Sequence, residues 1–525
     1  MLCLLGPAAL RVDGRLEPLR LRPKAHAVLV RVALGGSARR SELAPLVFPE
    51  AEDPRAALRW HLSYLRAALP EPIRRQFVVT PETVRLTCPT DVDAFRRGAS
   101  RINEQCVPPE AVGVLPLYRG DLCAGLTVSA SADFDSWLYV EQEGLRRLFR
   151  QVTVAVARRG LAVGHAGEAA EPLAKLVSID PYFEEGHILL IEVYESLGNH
   201  DAAAAAYRRY QRIVREELQA EPRPSVARRY EPDAPPGRTL PLDSLVSLRE
   251  ITMHVVEWPG GEPAILAIHG SASNAYTLTA LAESLAPDVR IIALDLRGHG
   301  LSDKPPGGYD LARHVADVRE LIGALSLRQP ILLGFSLGGA IAAAVAAEGG
   351  VGGLILLDGV IGHRAFTDNA AAKVVRPLGE SLELRVGGFA EYLEQWRSRG
   401  NRSSGDAERL IERALRHELT PLPDGSYRRR GVRRALEDTW ASLKDGDSLG
   451  ALSRVRCPVL IVQATLPWRG DEPYLTDAII GEQLRAAPGA QRFVARSSDH
   501  VMLLHDPEPA MVEAISQFAN SLAAT

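Results

Sequence analysis

The sequence has few lysines, few cysteines and little net charge. Five of its 61 cationic residues are lysine, and 65 acidic residues leave a net charge of −4 over 525 residues. These totals give no sign of a chain that binds nucleic acid over its whole surface. The five cysteines are scattered and form no Cys-x-x-Cys pair. We therefore expect neither a disulfide framework nor a zinc site, and we expect a cytoplasmic protein.

Two further absences narrow the function. No Gly-x-x-x-x-Gly-Lys-Ser/Thr motif occurs, so a nucleotide-driven switch is not expected. The longest uncharged apolar run, residues 331–347, contains three glycines and a serine and is slightly short for a membrane span. No membrane partner, metal or organic cofactor is predicted.

The length and the charge distribution indicate several domains. At roughly 100–200 residues per domain the chain holds about three, and 46% hydrophobic with 24% charged residues is ordinary for a globular protein. The charge is uneven, because residues 1–100 contain 16 Lys and Arg against 10 Asp and Glu. The near-neutral total therefore hides a basic N-terminal segment.

This basic segment has the pattern of a small mixed domain. Residues 1–20 read as an antiparallel ribbon, followed by three helices: Pro23–Leu34, a second one capped by Ser41, and Pro54–Leu69. Two short apolar runs around Pro81-Glu82 then predict a hairpin. The third helix has a leucine stripe and a separate polar stripe, the latter formed by Arg55, Arg59, Ser63 and Arg66. Such an arginine face suits the major groove of DNA, although a solvated surface gives the same pattern.

Four motifs in this segment carry a family resemblance: Leu4-Leu5-Gly6, Asp13-Gly14, Ser41-Glu42-Leu43-Ala44, and Arg-Trp-His-Leu-Ser-Tyr-Leu-Arg at 59–66. Residues 1–95 resemble the winged helix-turn-helix of response regulators, particularly of SARP-type transcriptional activators. The resemblance implies promoter DNA as a partner and a recognition helix whose Arg59, Ser63 and Arg66 face it. Tyr64 departs from the pattern, since the family usually has a basic residue there.

Residues 96–220 carry mainly helical patterns. Residues 163–170 align with residues 197–204, an offset of 34 residues that is typical of tetratricopeptide-like helix pairs. Together with Tyr118-Arg-Gly-Asp121 and Phe134-Asp-Ser-Trp137, the pattern resembles the bacterial transcriptional activator domain. That resemblance implies a homodimer contact or docking to the transcription machinery; a plain helical spacer is the alternative. Six prolines then predict an exposed linker over 221–245.

From residue 246 to 525, short apolar runs alternate with helical patterns, which predicts a doubly wound, mostly parallel sheet. Five strands are expected, each ending in a polar or glycine residue: 264–268, 291–294, 331–333, 354–357 and 459–462. Gly334-Phe-Ser-Leu-Gly338 lies between one strand and the next helix. The glycines at this spacing allow a sharp turn that exposes the Ser336 hydroxyl, so Ser336 is the expected nucleophile. The amide of Leu337 is the expected first oxyanion donor. The amide of Ser271, in His269-Gly-Ser271, is the expected second donor.

With Asp295-Leu-Arg-Gly-His-Gly300, these motifs resemble the α/β-hydrolase family over residues 246–525. The expected base is His500, and the neighbouring His505 is interpreted as structural. For the acid, Asp471 is preferred and Asp358, directly at a strand end, is the alternative. Asp499 is expected at the surface.

The resulting fold class is multidomain: a winged helix, an all-α tetratricopeptide-like domain, and an α/β hydrolase with a helical cap at about 362–452. A serine nucleophile predicts an ester or lactone as the small-molecule substrate. The preferred hypothesis is a transcriptional regulator fused to a hydrolase that cleaves or senses this molecule. One alternative is a plain esterase or lactonase with N-terminal domains as scaffold; the other is a regulator whose inactive hydrolase fold only senses a ligand.

Overall fold

The computed structural model describes residues 1–12, 15–102, 107–126, 132–231, 241–359, 374–398, 406–422, 424–445, 447–468 and 471–523. Contacts divide the chain into two compact units, Met1–Tyr210 with Pro421–Ser426, and Gln211–Thr420 with Tyr427–Thr525. The finer domain boundaries expected from the sequence stay predictions. The predicted Asp13-Gly14 turn, residues 232–240 of the predicted linker and residues 362–373 of the predicted cap lie outside the described residues. None of the helices described here is long and apolar enough to cross a bilayer.

The first unit begins with the predicted order of ribbon, three helices and hairpin. The ribbon strands are Leu2–Cys3, Ala9–Val12 and Arg15–Pro18; the helices are Pro23–Gly35, Arg40–Val47 and Pro54–Ala68; a short helix, Glu71–Arg74, leads to strands Phe77–Val79 and Thr83–Leu86. One detail differs, because Ser41 lies inside the second helix and does not cap it. Strand Ser37–Arg39 pairs with the hairpin up to Arg39, so the helix begins directly after the last paired residue.

The helix Pro54–Ala68, here called the arginine helix, is well defined at its start. Pro54 occupies a first-turn position and the Asp53 side chain accepts a hydrogen bond from the Ala56 amide at 2.9 Å. The leucines of its apolar stripe are buried in the core of this unit. Packing of the leucines therefore leaves the opposite face of the helix to solvent.

The middle of the chain is helical, as predicted. Its elements are Asp91–Ala99, Pro109–Leu117, Ala132–Val163, Ala166–Ala169, Ala170–Ile179, Glu184–Ser196, His200–Arg212, Ile213–Glu217 and Pro224–Tyr230. Gly164 and Gly198, which correspond in the 34-residue repeat, have positive φ angles of 76° and 69°. Both follow the last turn of a helix, where glycine adopts this conformation without steric cost. The repeat thus marks two equivalent helix ends.

The expected linker needs a correction at both ends. Its first part forms the helix Pro224–Tyr230, in which Val226 is fully buried, and its last part begins strand Leu242–Ser247. Pro224 starts this helix because proline at a first-turn position has no amide to satisfy and a φ angle already suited to the helix. The described parts of 221–245 are therefore mostly regular structure.

The second unit is built on an eight-stranded sheet. All neighbours are parallel except around Thr252–Trp258, which is antiparallel to both of its neighbours. Across the sheet the strands are Gln491–Ala495, Val459–Ala464, Gly353–Leu357, Ile331–Phe335, Ile265–Ile268, Ile291–Leu294, Thr252–Trp258 and Leu242–Ser247. Alternate residues of the central strands pack into two separate cores, one on each face. This arrangement is the predicted doubly wound sheet.

Helices cover the sheet and fill the insertion between two of its strands. Those outside the insertion are Ala275–Leu278, Thr279–Leu285, Leu311–Ala324, Leu337–Ala347, Asp477–Ala486, Met502–His505 and Pro509–Ala523. Between Gly353–Leu357 and Val459–Ala464 lie helices Arg376–Glu383, Phe389–Ser398, Asp406–Glu418, Arg433–Asp445 and Ser448–Ser453, with short strands Arg385–Val386, Leu419–Pro421 and Tyr427–Arg429. Trp396 and Trp440 are buried in this insertion, where the cap is predicted.

Candidate functional site

Ser336 lies at the sharp turn between strand Ile331–Phe335 and helix Leu337–Ala347. Its backbone is left-handed, with φ 52° and ψ −121°, a conformation that a serine rarely adopts. A Cβ on Gly334 would lie 2.3 Å from the carbonyl oxygen of Gly338, and a Cβ on Gly338 would lie 2.3 Å from that of Ile268. Only glycine fits at these two positions, so the motif holds the strand and helix close and projects the serine from the turn.

His500 joins Ser336 to a carboxylate. Its Nε2 lies 3.0 Å from Ser336 Oγ, and its Nδ1 lies 2.7 Å from Asp358 Oδ2. The other oxygen of Asp358 accepts a hydrogen bond from the Ala464 amide at 3.2 Å. All three side chains are buried, with 5%, 3% and 0% of the surface of Ser336, His500 and Asp358 exposed. The geometry is that of a nucleophile, a base and an orienting acid in one hydrogen-bonded chain.

The preference for Asp471 as the acid is corrected by this geometry. Asp471 is exposed, and both ring nitrogens of His500 are engaged by Ser336 and Asp358. The reason lies in the strand register, which pairs Phe335 with Leu357. The next residue on each strand is Ser336 and Asp358, respectively, so the two side chains leave the sheet side by side.

Two other residues near His500 have structural positions. Asp499, expected at the surface, is partly buried because its carboxylate accepts hydrogen bonds from the amides of Val501 and Met502, both at 2.9 Å. His505 is buried at the end of helix Met502–His505 and contacts Trp396 edge-on, with 5.9 Å between ring centroids. Its position leaves His500 as the histidine that contacts Ser336.

The expected oxyanion donors lie beside Ser336. Leu337 is the first residue of its helix, so its amide has no acceptor within that helix. A Cβ on Gly270 would lie 3.0 Å from Ser336 Cβ, so the residue before Ser271 lies against the nucleophile, and Ser271 itself lines the same cavity. Within the described residues no acceptor engages either amide. Trp440 Nε1 donates to Ser271 Oγ at 2.9 Å and fixes that side chain. The roles of both amides stay predictions.

Three aromatic rings pack around the imidazole of His500, a contact that was not predicted from the sequence. The ring centroids of Tyr474, Phe335 and Trp468 lie 3.8, 4.8 and 4.9 Å from that of His500. Burial raises the pKa of the Tyr474 hydroxyl above its ordinary value. A signal was available in principle, because Trp468 and Tyr474 lie in the loop after strand Val459–Ala464, at the end of the sheet where ligands collect.

A cavity of about 120 Å³ opens onto the nucleophile. Its wall combines apolar side chains with a few polar ones, as small-molecule sites generally do. Its lining residues are Ser271, Ala272, Ser273, Thr277, Phe335, Ser336, Val374, Leu378, Tyr392, Trp396, Glu418, Arg429, Trp468, Tyr474, His500, Val501, Leu504 and His505. No pattern in the sequence indicates that Glu418 and Arg429 belong to this wall.

The Asp295-to-Gly300 motif begins with a buried carboxylate that hydrogen-bonds to a histidine on the neighbouring strand. Asp295 is buried and accepts hydrogen bonds from His254 Nδ1 at 2.6 Å and from the amides of Ala275 and Leu301 at 2.7 and 2.8 Å. His254 also contacts Asp243. Burial opposes a charge on this histidine, but the two carboxylates overcome that effect and raise the pKa of His254 to about 9. The motif thus holds two neighbouring strands together through a buried charged histidine.

The residues expected to contact DNA share one face of the arginine helix. Arg55, Arg59, Ser63 and Arg66 are all exposed, on the side opposite the buried leucines. Tyr64 is partly buried and stacks on Trp60, with 5.8 Å between ring centroids and 6° between planes, and the guanidinium of Arg22 lies over both rings. Tyr64 therefore belongs to an aromatic stack beside the arginine face.

Two more arginines adjoin this face, which sequence reasoning did not identify. Arg39 and Arg40, at the start of helix Arg40–Val47, line one groove with Arg55 and Arg59. The groove also borders the hairpin turn at Pro81-Glu82. Its four guanidinium groups outnumber the single carboxylate of Glu82, and arginine is suited to phosphate recognition. This geometry is compatible with binding the backbone of a nucleic acid.

Two family models match this chain, one over the helical middle region and one over the region of the eight-stranded sheet. Residues 265–514 match the alpha/beta hydrolase family, and residues 90–232 match the bacterial transcriptional activator domain. The chain carries an α/β hydrolase domain fused to a bacterial transcriptional activator domain. The combination expected from the sequence is therefore confirmed. The activator match extends to residue 232 and includes the helix Pro224–Tyr230 within the predicted linker.

The relatives of the α/β hydrolase domain include proteins that are named as enzymes. The chain is 29% identical over 283 residues to 2-(acetamidomethylene)succinate hydrolase of Mesorhizobium japonicum, covering 53% of this chain and 94% of the relative. A haloalkane dehalogenase of the same organism is 32% identical over 113 residues, 22% of this chain and 37% of its own. A crystal structure of E-2-(acetamidomethylene)succinate hydrolase matches with 25% identity and a TM-score of 0.45, over 53% of this chain and 99% of the other.

Proposed function

We propose that the α/β hydrolase domain cleaves a small ester or lactone through Ser336, His500 and Asp358, and that the chain also binds promoter DNA through its N-terminal region. The observation that carries the first part is the position of His500, 3.0 Å from the serine oxygen and 2.7 Å from the carboxylate. Each contact is within the reach that proton transfer and orientation require.

The reaction follows from these contacts. His500 Nε2 takes the Ser336 proton as Oγ attacks the substrate carbonyl, while Asp358 accepts a hydrogen bond from Nδ1–H and holds the ring in the required tautomer. The amides of Leu337 and Ser271 donate to the oxyanion of the tetrahedral intermediate. The histidine then protonates the leaving alcohol, and the acyl-serine is hydrolysed by water in a second step of the same kind.

The nucleophile limits the substrate class. Haloalkane dehalogenase chemistry in this fold starts from a carboxylate, whereas the strand-to-helix turn of this chain holds Ser336. A serine attacks an acyl carbon, and an ester or lactone has a leaving oxygen that His500 can protonate. The relative from Mesorhizobium japonicum is named as the hydrolase of an acetamido compound. An amide of similar size is therefore the substrate to compare with the ester.

Purified full-length protein tests the first proposal. We expect it to hydrolyse a short p-nitrophenyl ester, and we expect Ser336→Ala to reduce the rate to background. Ser284→Ala provides a control with an unchanged rate, because Ser284 lies on helix Thr279–Leu285, is not among the described residues that line the cavity, and donates its hydroxyl to the Ala280 carbonyl. Equal rates for Ser336→Ala and the wild-type protein would refute the assignment of the nucleophile.

DNA binding is the second proposed function, favoured by the exposed arginine face and the groove beside it. Each neutralised phosphate releases counterions, so the slope of log affinity against log salt should be near −0.9 per phosphate contact. We expect Arg59→Ala combined with Arg66→Ala to weaken binding to promoter fragments and to make this slope shallower. Arg97→Ala, an exposed arginine on helix Asp91–Ala99, is the matched control. Unchanged binding by the double variant would count against the arginine helix.

The two alternative functions make different predictions. A regulator that only senses its ligand would bind esters without releasing alcohol, and a plain esterase would bind promoter fragments no better than unrelated DNA. The contacts of His500 with Ser336 and Asp358 favour turnover over sensing alone, because a binding site needs no hydrogen-bonded chain of nucleophile, base and acid.

A further inference from the structure

The cavity wall contains an ion pair that the proposed reaction does not use. Glu418 is the last residue of helix Asp406–Glu418, and Arg429 is the last residue of strand Tyr427–Arg429. Arg429 Nε donates to Glu418 Oε2 at 3.0 Å, and the two side chains are only 10% and 8% exposed. Both residues line the cavity that holds Ser336.

Each of the three nitrogens of the Arg429 guanidinium donates a hydrogen bond to a protein group. Besides the contact of Nε with Glu418, Nη1 donates to Ser381 Oγ at 2.8 Å and Nη2 donates to the carbonyl oxygen of Ala272. Arginine recognises a carboxylate by turning two parallel N–H groups towards it. In this wall all three nitrogens already donate to Glu418, Ser381 or the backbone, so a ligand carboxylate would have to compete with these contacts for a bidentate approach.

The rest of this wall adds no positive charge. The hydroxyl of Tyr392 donates a hydrogen bond to Glu418 Oε2. Burial lowers the pKa of His505 to about 4, so this histidine is uncharged at neutral pH. Among the described lining residues, Arg429 is the one permanent cation and Glu418 neutralises it. A carboxylate entering the cavity would therefore be buried beside Glu418 without a counter-ion, which is strongly unfavourable.

We propose that the Arg429–Glu418 pair makes this site selective for uncharged acyl groups and excludes substrates that carry a carboxylate on the acyl chain. The inference deepens the hydrolase function proposed above and rests on it. It separates this chain from its relative, whose named substrate is a succinate derivative and so a dicarboxylic acid. Glu418 acts here as a specificity residue, because it occupies the guanidinium that would otherwise bind the anion.

Two esters of equal chain length test the proposal: p-nitrophenyl butyrate and mono-p-nitrophenyl succinate, which differ by a terminal carboxylate. Kinetics of the full-length protein are measured at low salt, with Ser336→Ala giving the background for both esters. We expect kcat/KM for butyrate to exceed that for the succinate ester at least 100-fold. Glu418→Gln, which keeps the shape but frees the charge of Arg429, should reduce this ratio at least tenfold, mainly through a lower KM for the succinate ester.

Glu437→Gln is the matched control, because Glu437 is an exposed residue paired with Arg433 on helix Arg433–Asp445. Removal of that charge should leave the ratio unchanged. A wild-type ratio near one, or an equal fall in the ratio for both variants, would overturn the role of the pair. The wild-type comparison decides the matter even where Glu418→Gln does not fold.

A binding measurement separates the failure of this inference from failure of the hydrolase proposal. Calorimetric titration of Ser336→Ala with butyranilide and with succinanilic acid compares the same two acyl groups without turnover. Tighter binding of butyranilide supports the inference even where the wild-type protein cleaves neither ester, in which case only the reaction is wrong. Tighter binding of succinanilic acid refutes the inference and leaves the reaction untouched.

Discussion

Replacement of Asp358 by asparagine tests which acid orients His500. The carboxylate accepts from His500 Nδ1 at 2.7 Å through one oxygen and from the Ala464 amide at 3.2 Å through the other, and it is fully buried. Asparagine has nearly the same volume and can keep its oxygen on the Ala464 amide. It then turns an N–H group towards Nδ1, which favours the ring tautomer whose Nε2 carries the proton and cannot accept one from Ser336.

The expected size of the effect follows from the loss of that tautomer. In serine triads this substitution lowers kcat roughly 10⁴-fold, which corresponds to about 5.5 kcal/mol in activation free energy. KM should change little, because Asp358 does not line the cavity within the described residues. Asp471→Asn alters an exposed charge that solvent screens, and its rate should stay within about twofold of wild type.

The assay is hydrolysis of a short p-nitrophenyl ester by the two variants and by Ser336→Ala, with thermal unfolding to confirm that each protein is folded. A large loss for Asp358→Asn together with an unchanged Asp471→Asn supports the acid seen next to His500. A loss of equal size for Asp471→Asn, or wild-type activity for Asp358→Asn in a folded protein, would refute the reasoning.

Two other predictions concern stability. The raised pKa of His254 means that its contacts with Asp243 and Asp295 stabilise the fold fully below about pH 6.5 and less as pH rises through about 9, an effect of the order of 3 kcal/mol. The melting temperature should therefore fall more steeply between pH 7 and 9.5 in the wild-type protein than in His254→Asn, and parallel curves would contradict this. Gly338→Ala should destabilise the strand-to-helix turn at Ser336 and lower the melting temperature, because the added Cβ would lie 2.3 Å from the carbonyl oxygen of Ile268. Gly323→Ala, in the last turn of helix Leu311–Ala324 with open space around the added Cβ, should instead stabilise the fold by up to about 1 kcal/mol and so raise the melting temperature; circular dichroism melts of both variants measure the difference.

How far the sequence predicts the site depends on the kind of information each residue carries. Ser336 could be placed because its turn needs glycines at fixed spacing, and this requirement is local. The acid could not be decided in this way, because Asp358 and Asp471 both precede His500 in the chain and both follow strands. The difference is the strand order, in which Gly353–Leu357 lies directly beside the serine strand and Val459–Ala464 lies one position further out. Strand order results from packing across the whole sheet and leaves no pattern in a short segment.

The side chains around the reacting atoms were harder to predict for the same reason. The stripe of the arginine helix repeats every three or four residues, so its exposed face could be read from the sequence. Tyr474 and Arg429 lie in or beside loops and have no periodicity. Arg429 reaches the cavity only because strand Tyr427–Arg429 brings it next to Glu418, eleven positions earlier. In the sequence alone, an acidic and a basic residue eleven positions apart look the same as two residues of an ordinary polar surface.

The position of the acid also explains the composition of the loop that follows strand Val459–Ala464. With Asp358 supplied by the neighbouring strand, this loop does not have to provide a carboxylate and instead provides Trp468 and Tyr474, which pack against the ring of His500. Aromatic packing limits rotation of the imidazole, so the ring stays aligned between Asp358 and Ser336 before a substrate enters. The same rings exclude water from one side of the base, which strengthens its hydrogen bond to the buried carboxylate. The loop therefore contributes aromatic packing, rather than a carboxylate, beside His500.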